Sequence, residues 1–145
     1  MEFEDKLEEI FNDTEASIQV KINRIADIGD YLQYGDIDKE TTVKYLDILI
    51  RYLVQQDDDD MKEEILGIIL DTEDSKVVDE ELNLTPIVSN LSIFNEQCIS
   101  YILSILGYSG KEQYRILIES FKDNPKLKDD VEDASYELNY RIKNN

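Results

Sequence analysis

The sequence predicts an all-α protein whose 145 residues form one domain, and three observations support this prediction. Apolar side chains recur every three or four residues along most of the chain, which is the period of an amphipathic helix. Only two prolines and five glycines interrupt these stretches, and no segment shows the two-residue alternation of a β-strand. Hydrophobic residues make up 41% of the chain, enough for a packed core despite the high charge.

Residues 1–37 are predicted to form two N-terminal capping helices, over 2–11 and 15–34. The second helix carries a regular apolar stripe, formed by Ile18, Ile22, Ile25, Ile28 and Leu32. Gly35 follows it and is expected to end the helix in the left-handed conformation that glycine adopts easily.

Residues 38–143 are predicted to form three helical hairpins. The paired helices cover 38–56 with 61–70, 85–92 with 95–106, and 111–121 with 127–142. Asp38 and Asn95 are suited to cap the helices that follow them. The acidic run 57–60 is expected before the fourth helix, where its carboxylates meet the positive end of the helix dipole. A polar stretch over 71–81 is expected after that helix.

The second helices of the three hairpins align in register. Ile65, Ile68 and Ile69 correspond to Ile99, Ile102 and Leu103, and these correspond to Val131, Ala134 and Ser135, at spacings of 34 and 32 residues. A helical hairpin repeated at such a period is typical of an α-solenoid, in which stacking buries the face that one hairpin leaves open. An irregular multi-helix bundle is the alternative.

The segment 98–110, with its Leu106-Gly107 ending, resembles the second helix of a HEAT-like repeat. Residues 131–138 resemble a weaker copy, so the resemblance covers about 38–143. It implies antiparallel helix pairs stacked as a short HEAT-like α-solenoid, with the second helix of each pair on the concave face.

Negative charge is concentrated in the first two thirds of the chain. The net charge is −19: residues 1–96 hold 26 acidic and 8 basic side chains, and the rest hold 8 and 7. Such a field repels nucleic acid and anionic membranes and attracts basic proteins. A lone cysteine and a start without signal-peptide features favour a cytoplasmic protein, which we expect to be a monomer.

Few residues suit catalysis or cofactor binding. The absence of histidine removes the usual general base and the common nucleophile pairs, and Cys98 is expected to be a buried thiol. Asp36, Asp38 and Glu40 have the spacing of a calcium loop, but Thr41 stands where that loop needs glycine. We expect no enzyme activity, cofactor or metal. The remaining alternative is an enzyme with a carboxylate-bound metal, such as Mg²⁺ held by the run 57–60.

A small, acidic, helical-repeat protein also resembles the immunity proteins of bacterial polymorphic-toxin and contact-dependent inhibition systems. That resemblance implies tight binding to one cognate toxin domain, often a basic nuclease. The alternative is an acidic DNA mimic or a scaffold module that binds several basic proteins.

The predicted partner-binding residues are those on the outward sides of the second helices and the acidic run before the first of them. They are Asp57, Asp58, Asp59, Asp60, Glu63, Glu64, Glu96, Gln97, Ser100, Tyr101, Ser104, Asp130, Asp133, Glu137 and Tyr140.

Overall fold

A computed structural model describes residues 2–76, 78 and 81–144. These residues form α-helices and short 3₁₀ helices without any β-strand, which confirms the all-α prediction for the described part. The α-helices are α1 (Glu2–Phe11), α2 (Ile18–Tyr34), α3 (Lys39–Leu53), α4 (Asp59–Ser75), α5 (Thr85–Val88), α6 (Glu96–Tyr108), α7 (Arg115–Glu119) and α8 (Lys128–Lys143). Leu91–Ile93 and Glu112–Tyr114 are 3₁₀ helices.

Helices α2, α4, α6 and α8 provide the most extensive packing among the described residues. Helix α2 packs against α4, α4 against α6, and α6 against α8. Less extensive contacts join α1 to α2, α3 to α4, and α7 to α8. The core therefore follows this series of four helices, and Ile25, Leu66, Leu103 and Leu138 are buried along it.

Helices α4 and α6 run in the same direction. Near their starts, the Cys98 Sγ lies 3.9 Å from the Asp59 carbonyl oxygen. Near their ends, the Tyr108 hydroxyl lies 3.0 Å from a carboxylate oxygen of Asp74. Asp74 and Tyr108 are 34 residues apart, which equals the first of the two predicted repeat spacings.

Two glycines permit close helix packing. A Cβ atom at Gly107 would lie 2.7 Å from the backbone oxygen of Ala134, between α6 and α8. A Cβ atom at Gly29 would lie 2.7 Å from the Ile68 Cγ1, between α2 and α4. Both distances are too short for a side chain, so each glycine lets its helix approach its neighbour.

Side-chain caps explain where four of the long helices begin. Ser17, Asp38, Asp58 and Asn95 each accept a hydrogen bond from the backbone N–H three residues later. These bonds satisfy an amide that has no partner within the helix. The predicted caps Asp38 and Asn95 are confirmed.

Several predicted helix ends are wrong. Helix α4 begins at 59 and continues to 75, beyond the predicted 61–70, and α7 is shorter than the predicted 111–121. Helix α2 begins at 18, after the Ser17 cap, because residues 15 and 16 belong to a turn in which Asp13 accepts their amides. Gly35 has an extended conformation with φ −70°, so it does not use the left-handed cap. The predicted 71–81 stretch lies partly outside the described residues.

Candidate functional site

One face of α4 carries a row of carboxylates, which we call the α4 acidic stripe. Its members are Asp60, Glu63, Glu64, Asp71 and Asp74. They follow Asp60 at intervals of 3, 4, 11 and 14 residues, which places them on one side of a helix with 3.6 residues per turn. The opposite side is buried in the core. No lysine or arginine in the described part of the chain forms an ion pair with the stripe.

Negative charges from two helices meet at Glu64. Burial raises the pKa of its carboxyl, and the charges of Asp71, Asp30 and Glu63 raise that pKa further. Burial also raises the pKa of Asp71, with an added contribution from Asp74. Since a nearby like charge disfavours ionisation, these shifts indicate a concentrated negative field that extends from α4 to Asp30 on α2.

Tyr101 of α6 lies beside the middle of the stripe. A Cβ atom at Gly67 would be in ordinary contact with its ring, 3.7 Å from the Cε1 atom. Burial raises the pKa of the Tyr101 hydroxyl, and the charges of Glu63 and Asp71 raise it further. The ring therefore adjoins a helix surface without a side chain and has carboxylates around it.

Tyr108 connects the end of the stripe to α8. Its hydroxyl donates a hydrogen bond of 3.0 Å to Asp74. Burial, and to a smaller extent this bond, raises the pKa of Tyr108 to about 12. The Arg141 guanidinium lies over the Tyr108 ring, 4.6 Å from the centroid. Arg141 Nε also donates a hydrogen bond of 2.9 Å to Glu137.

We call the whole set the acidic face. It comprises the α4 acidic stripe together with Asp30, Tyr101, Tyr108 and Glu137. It thus extends over the four helices that form the main packing series.

The acidic face includes five of the predicted partner-binding residues, Asp60, Glu63, Glu64, Tyr101 and Glu137. Helical spacing places three more on the Tyr101 side of α6: Gln97, Ser100 and Ser104. On α8, the same argument places Asp130 and Asp133 on the side of Glu137. Tyr140 lies at the edge of that side and is 54% exposed.

The remaining predicted residues have local structural contacts or lie outside the stripe. Asp58 accepts the Met61 amide at 2.8 Å as the α4 cap. Asp59 pairs with Lys62 at 3.5 Å, and Asp57 is exposed before the helix.

Glu96 contacts the segment that precedes α8. It accepts a hydrogen bond of 2.9 Å from Asn124 and lies 3.9 Å from the Lys126 ammonium. No contact in the described part joins it to the acidic face.

Sequence reasoning missed Asp30, Asp71, Asp74 and Tyr108. Asp71 and Asp74 were missed because the fourth helix was expected to end at residue 70. The spacing of the acidic residues does indicate a longer helix, because Asp71 and Asp74 fall on the same side of a continued helix as Glu64. Tyr108 lies beyond the predicted end of its helix at residue 106, and nothing in the sequence relates Asp30 to the stripe.

Cys98 is fully buried, as predicted. Burial raises the pKa of its thiol to about 11, and Glu63 adds to the effect. The thiol is therefore protonated near neutral pH, a state with little nucleophilic reactivity.

Within residues 2–76, 78 and 81–144, no group of three or more acidic, cysteine or histidine side chains is placed to hold a metal ion. In the same residues, no helix has the combined length and apolar character required to cross a bilayer.

A cleft of about 560 Å³ lies at α1, α2 and Tyr45 of α3. Its apolar wall includes Phe3, Ile28 and Tyr31, and Arg24 at its edge pairs with Asp13 at 3.1 Å. None of the predicted partner-binding residues lines this cleft.

No family model, curated protein or solved structure matches this chain. The resemblances to HEAT-like repeats and to immunity proteins therefore stay predictions.

Proposed function

We propose that this protein is a cytoplasmic immunity or inhibitor protein that binds a cognate toxin domain with a basic surface. The observation that carries the proposal is the α4 acidic stripe. Asp30 on α2 extends it, and no lysine or arginine in the described residues forms an ion pair with the stripe itself, whereas Glu137 on α8 is paired with Arg141. A nuclease is the favoured target because its substrate groove is lined with Lys and Arg.

The same proposal includes a short HEAT-like α-solenoid. Its support is the succession of contacts from α2 through α4 and α6 to α8, together with the common direction of α4 and α6. An antiparallel pairing of α3 and α4 is supported by the 3.4 Å contact between Lys76 Nζ and Thr42 Oγ1. That contact brings the end of α4 to the start of α3.

In the proposed mechanism, the acidic face occupies the place of the nucleic-acid phosphates on the toxin. Long-range attraction between the −19 net charge and a basic groove raises the association rate. Contacts of Tyr101 and nearby residues then determine the dissociation rate. Differences in affinity between related complexes come mostly from this rate. A lysine or arginine side chain of the partner would also relieve the repulsion between the carboxylates around Glu64. This relief favours a positively charged partner.

The first experiment is co-purification of this protein with the product of the neighbouring gene, which the proposal expects to encode the toxin, followed by a nuclease assay of the complex. We expect a stable complex and loss of nuclease activity. A triple variant, Glu63→Gln, Glu64→Gln and Asp71→Asn, is expected to associate about tenfold more slowly at low salt, because it lacks the steering charges.

The matched control removes the same number of charges elsewhere, with Glu40→Gln, Glu119→Gln and Asp123→Asn. We expect this control to retain most of the wild-type association rate. Equal slowing in both variants, or a wild-type rate that is unchanged by salt, would contradict the role of the acidic face. Equal binding to several unrelated basic proteins would support a DNA mimic or scaffold instead.

A further inference from the structure

The fold itself holds one arginine on the acidic face. The Arg141 guanidinium lies 4.6 Å from the centroid of the Tyr108 ring, and its Nε donates to Glu137 at 2.9 Å. The Tyr108 hydroxyl in turn donates to Asp74. The Tyr108 ring of α6 and the Glu137 carboxylate of α8 therefore form a surface on which a guanidinium is held, both by the ring and by negative charge.

Tyr101 repeats the contact of a tyrosine with α4 two helical turns earlier, and there the nearby carboxylates are Glu63 and Asp71 of α4. It lies on the same side of α6 as Tyr108, seven residues away, and it contacts α4 at Gly67, as Tyr108 does at Asp74. Both pairs join positions that are 34 residues apart. In the described part of the chain, no lysine or arginine lies over the Tyr101 ring or pairs with Glu63 or Asp71.

We propose that Tyr101, Glu63 and Asp71 form a binding site for an arginine side chain of the partner, which is held over the Tyr101 ring as Arg141 is held over Tyr108. This inference rests on the proposed function for the identity of the partner, and it adds the residue type that the site selects. Gly67 contributes by leaving the α4 surface beside the ring without a side chain.

Arginine is favoured over lysine for a physical reason. Its planar guanidinium stacks on an aromatic ring and can donate two hydrogen bonds to one carboxylate, whereas the lysine ammonium is a strongly hydrated point charge. Charge alone would attract both residues equally. A preference for arginine that is lost with the Tyr101 ring therefore reports the ring, and a response to salt reports the carboxylates.

The test uses the full chain with hexa-arginine and hexa-lysine peptides in calorimetric titrations. Hexa-arginine is expected to bind the wild type more tightly, and Tyr101→Ala should remove roughly fivefold or more of that preference. The matched control is Tyr136→Ala, because Tyr136 is 73% exposed on α8 and outside the acidic face. This control is expected to retain the arginine preference, as is Tyr101→Phe, which keeps the ring.

Equal binding of the two peptides to the wild type would overturn the inference, as would an unchanged preference in a folded Tyr101→Ala variant. Circular dichroism of each variant shows whether it is folded, and Tyr101→Leu provides a second ring-free variant. Arginine selectivity without toxin binding would contradict only the proposed function. Toxin binding without arginine selectivity at Tyr101 would contradict only this inference.

Discussion

At the scale of single residues, the four aspartates at 57–60 have different roles despite their common chemistry. Asp58 caps α4, Asp59 pairs with Lys62, and Asp60 begins the α4 acidic stripe. These roles depend on the residue at which the helix starts, and a shift by one position would exchange them. Sequence reasoning could place the run before a helix, but it could not assign the cap within it.

Removal of the Asp58 cap is expected to lower the free energy of unfolding by about 1 kcal/mol, because the Met61 amide loses its side-chain acceptor. Urea unfolding of Asp58→Ala measures this effect. Asp57→Ala removes an identical charge from an exposed position without that bond and is expected to have a smaller effect. An equal loss in the two variants would mean that the charge, rather than the cap, stabilises α4.

At the scale of helices, the sequence predicted the main apolar stripes better than the helix ends. Asp, Thr and Ser favour caps and turns, so residues 71–75 suggested the end of α4. In the structure Thr72 is buried, and its hydroxyl donates to the Ile68 carbonyl at 2.7 Å. Tyr108 also contacts Asp74 from another helix. The burial of Thr72 and the contact of Tyr108 with Asp74 come from packing against other helices, and local sequence preference does not contain this packing.

Gly107 and Gly67 allow a direct test of helix packing. Gly107→Ala is expected to destabilise the protein by about 1–3 kcal/mol, because its Cβ would collide with the backbone of Ala134. Gly67→Ala places its Cβ in ordinary contact with Tyr101 and is expected to stabilise α4 by up to about 1 kcal/mol. Urea unfolding compares the two variants. A similar loss of stability in both would contradict the assigned close approach of α6 and α8.

At the scale of the whole molecule, we expect stability to rise as the pH falls from about 7 to about 5. The pKa values of Glu64 and Asp71 are raised in the fold, so the folded state takes up their protons before the unfolded state does. Proton uptake by the folded state stabilises it, down to the ordinary glutamate pKa of 4.5. Asp13 and Asp38 have lowered pKa values, and their opposite effect begins only near 3.8.

Urea unfolding midpoints at the two pH values measure this dependence. Glu64→Gln with Asp71→Asn is expected to weaken it, because the groups that take up protons are absent. Glu40→Gln with Glu119→Gln removes as much charge from exposed positions and serves as the control. A protein that loses stability between about pH 7 and about pH 5 would contradict the assigned burial of these carboxylates.

The acidic face as a whole was only partly predictable. Glu63, Glu64 and Tyr101 follow from helical spacing, which assigns the outward side of a single helix. Asp30 belongs to the face because α2 packs against α4, and Glu137 belongs to it because Arg141 meets Tyr108. Both additions depend on which helices are neighbours, and periodicity within one helix carries no information about that.

The series of contacts from α2 to α8 has a mechanical consequence. Each helix is held chiefly by the next one in the row, so a small rotation at one junction adds to the rotations at the others. In the proposed α-solenoid, these rotations would let the row flex while every junction stays packed. Asp30 and Glu137 stand on the outermost helices of the row, and such flexing would adjust the distance between them to the shape of the surface they meet.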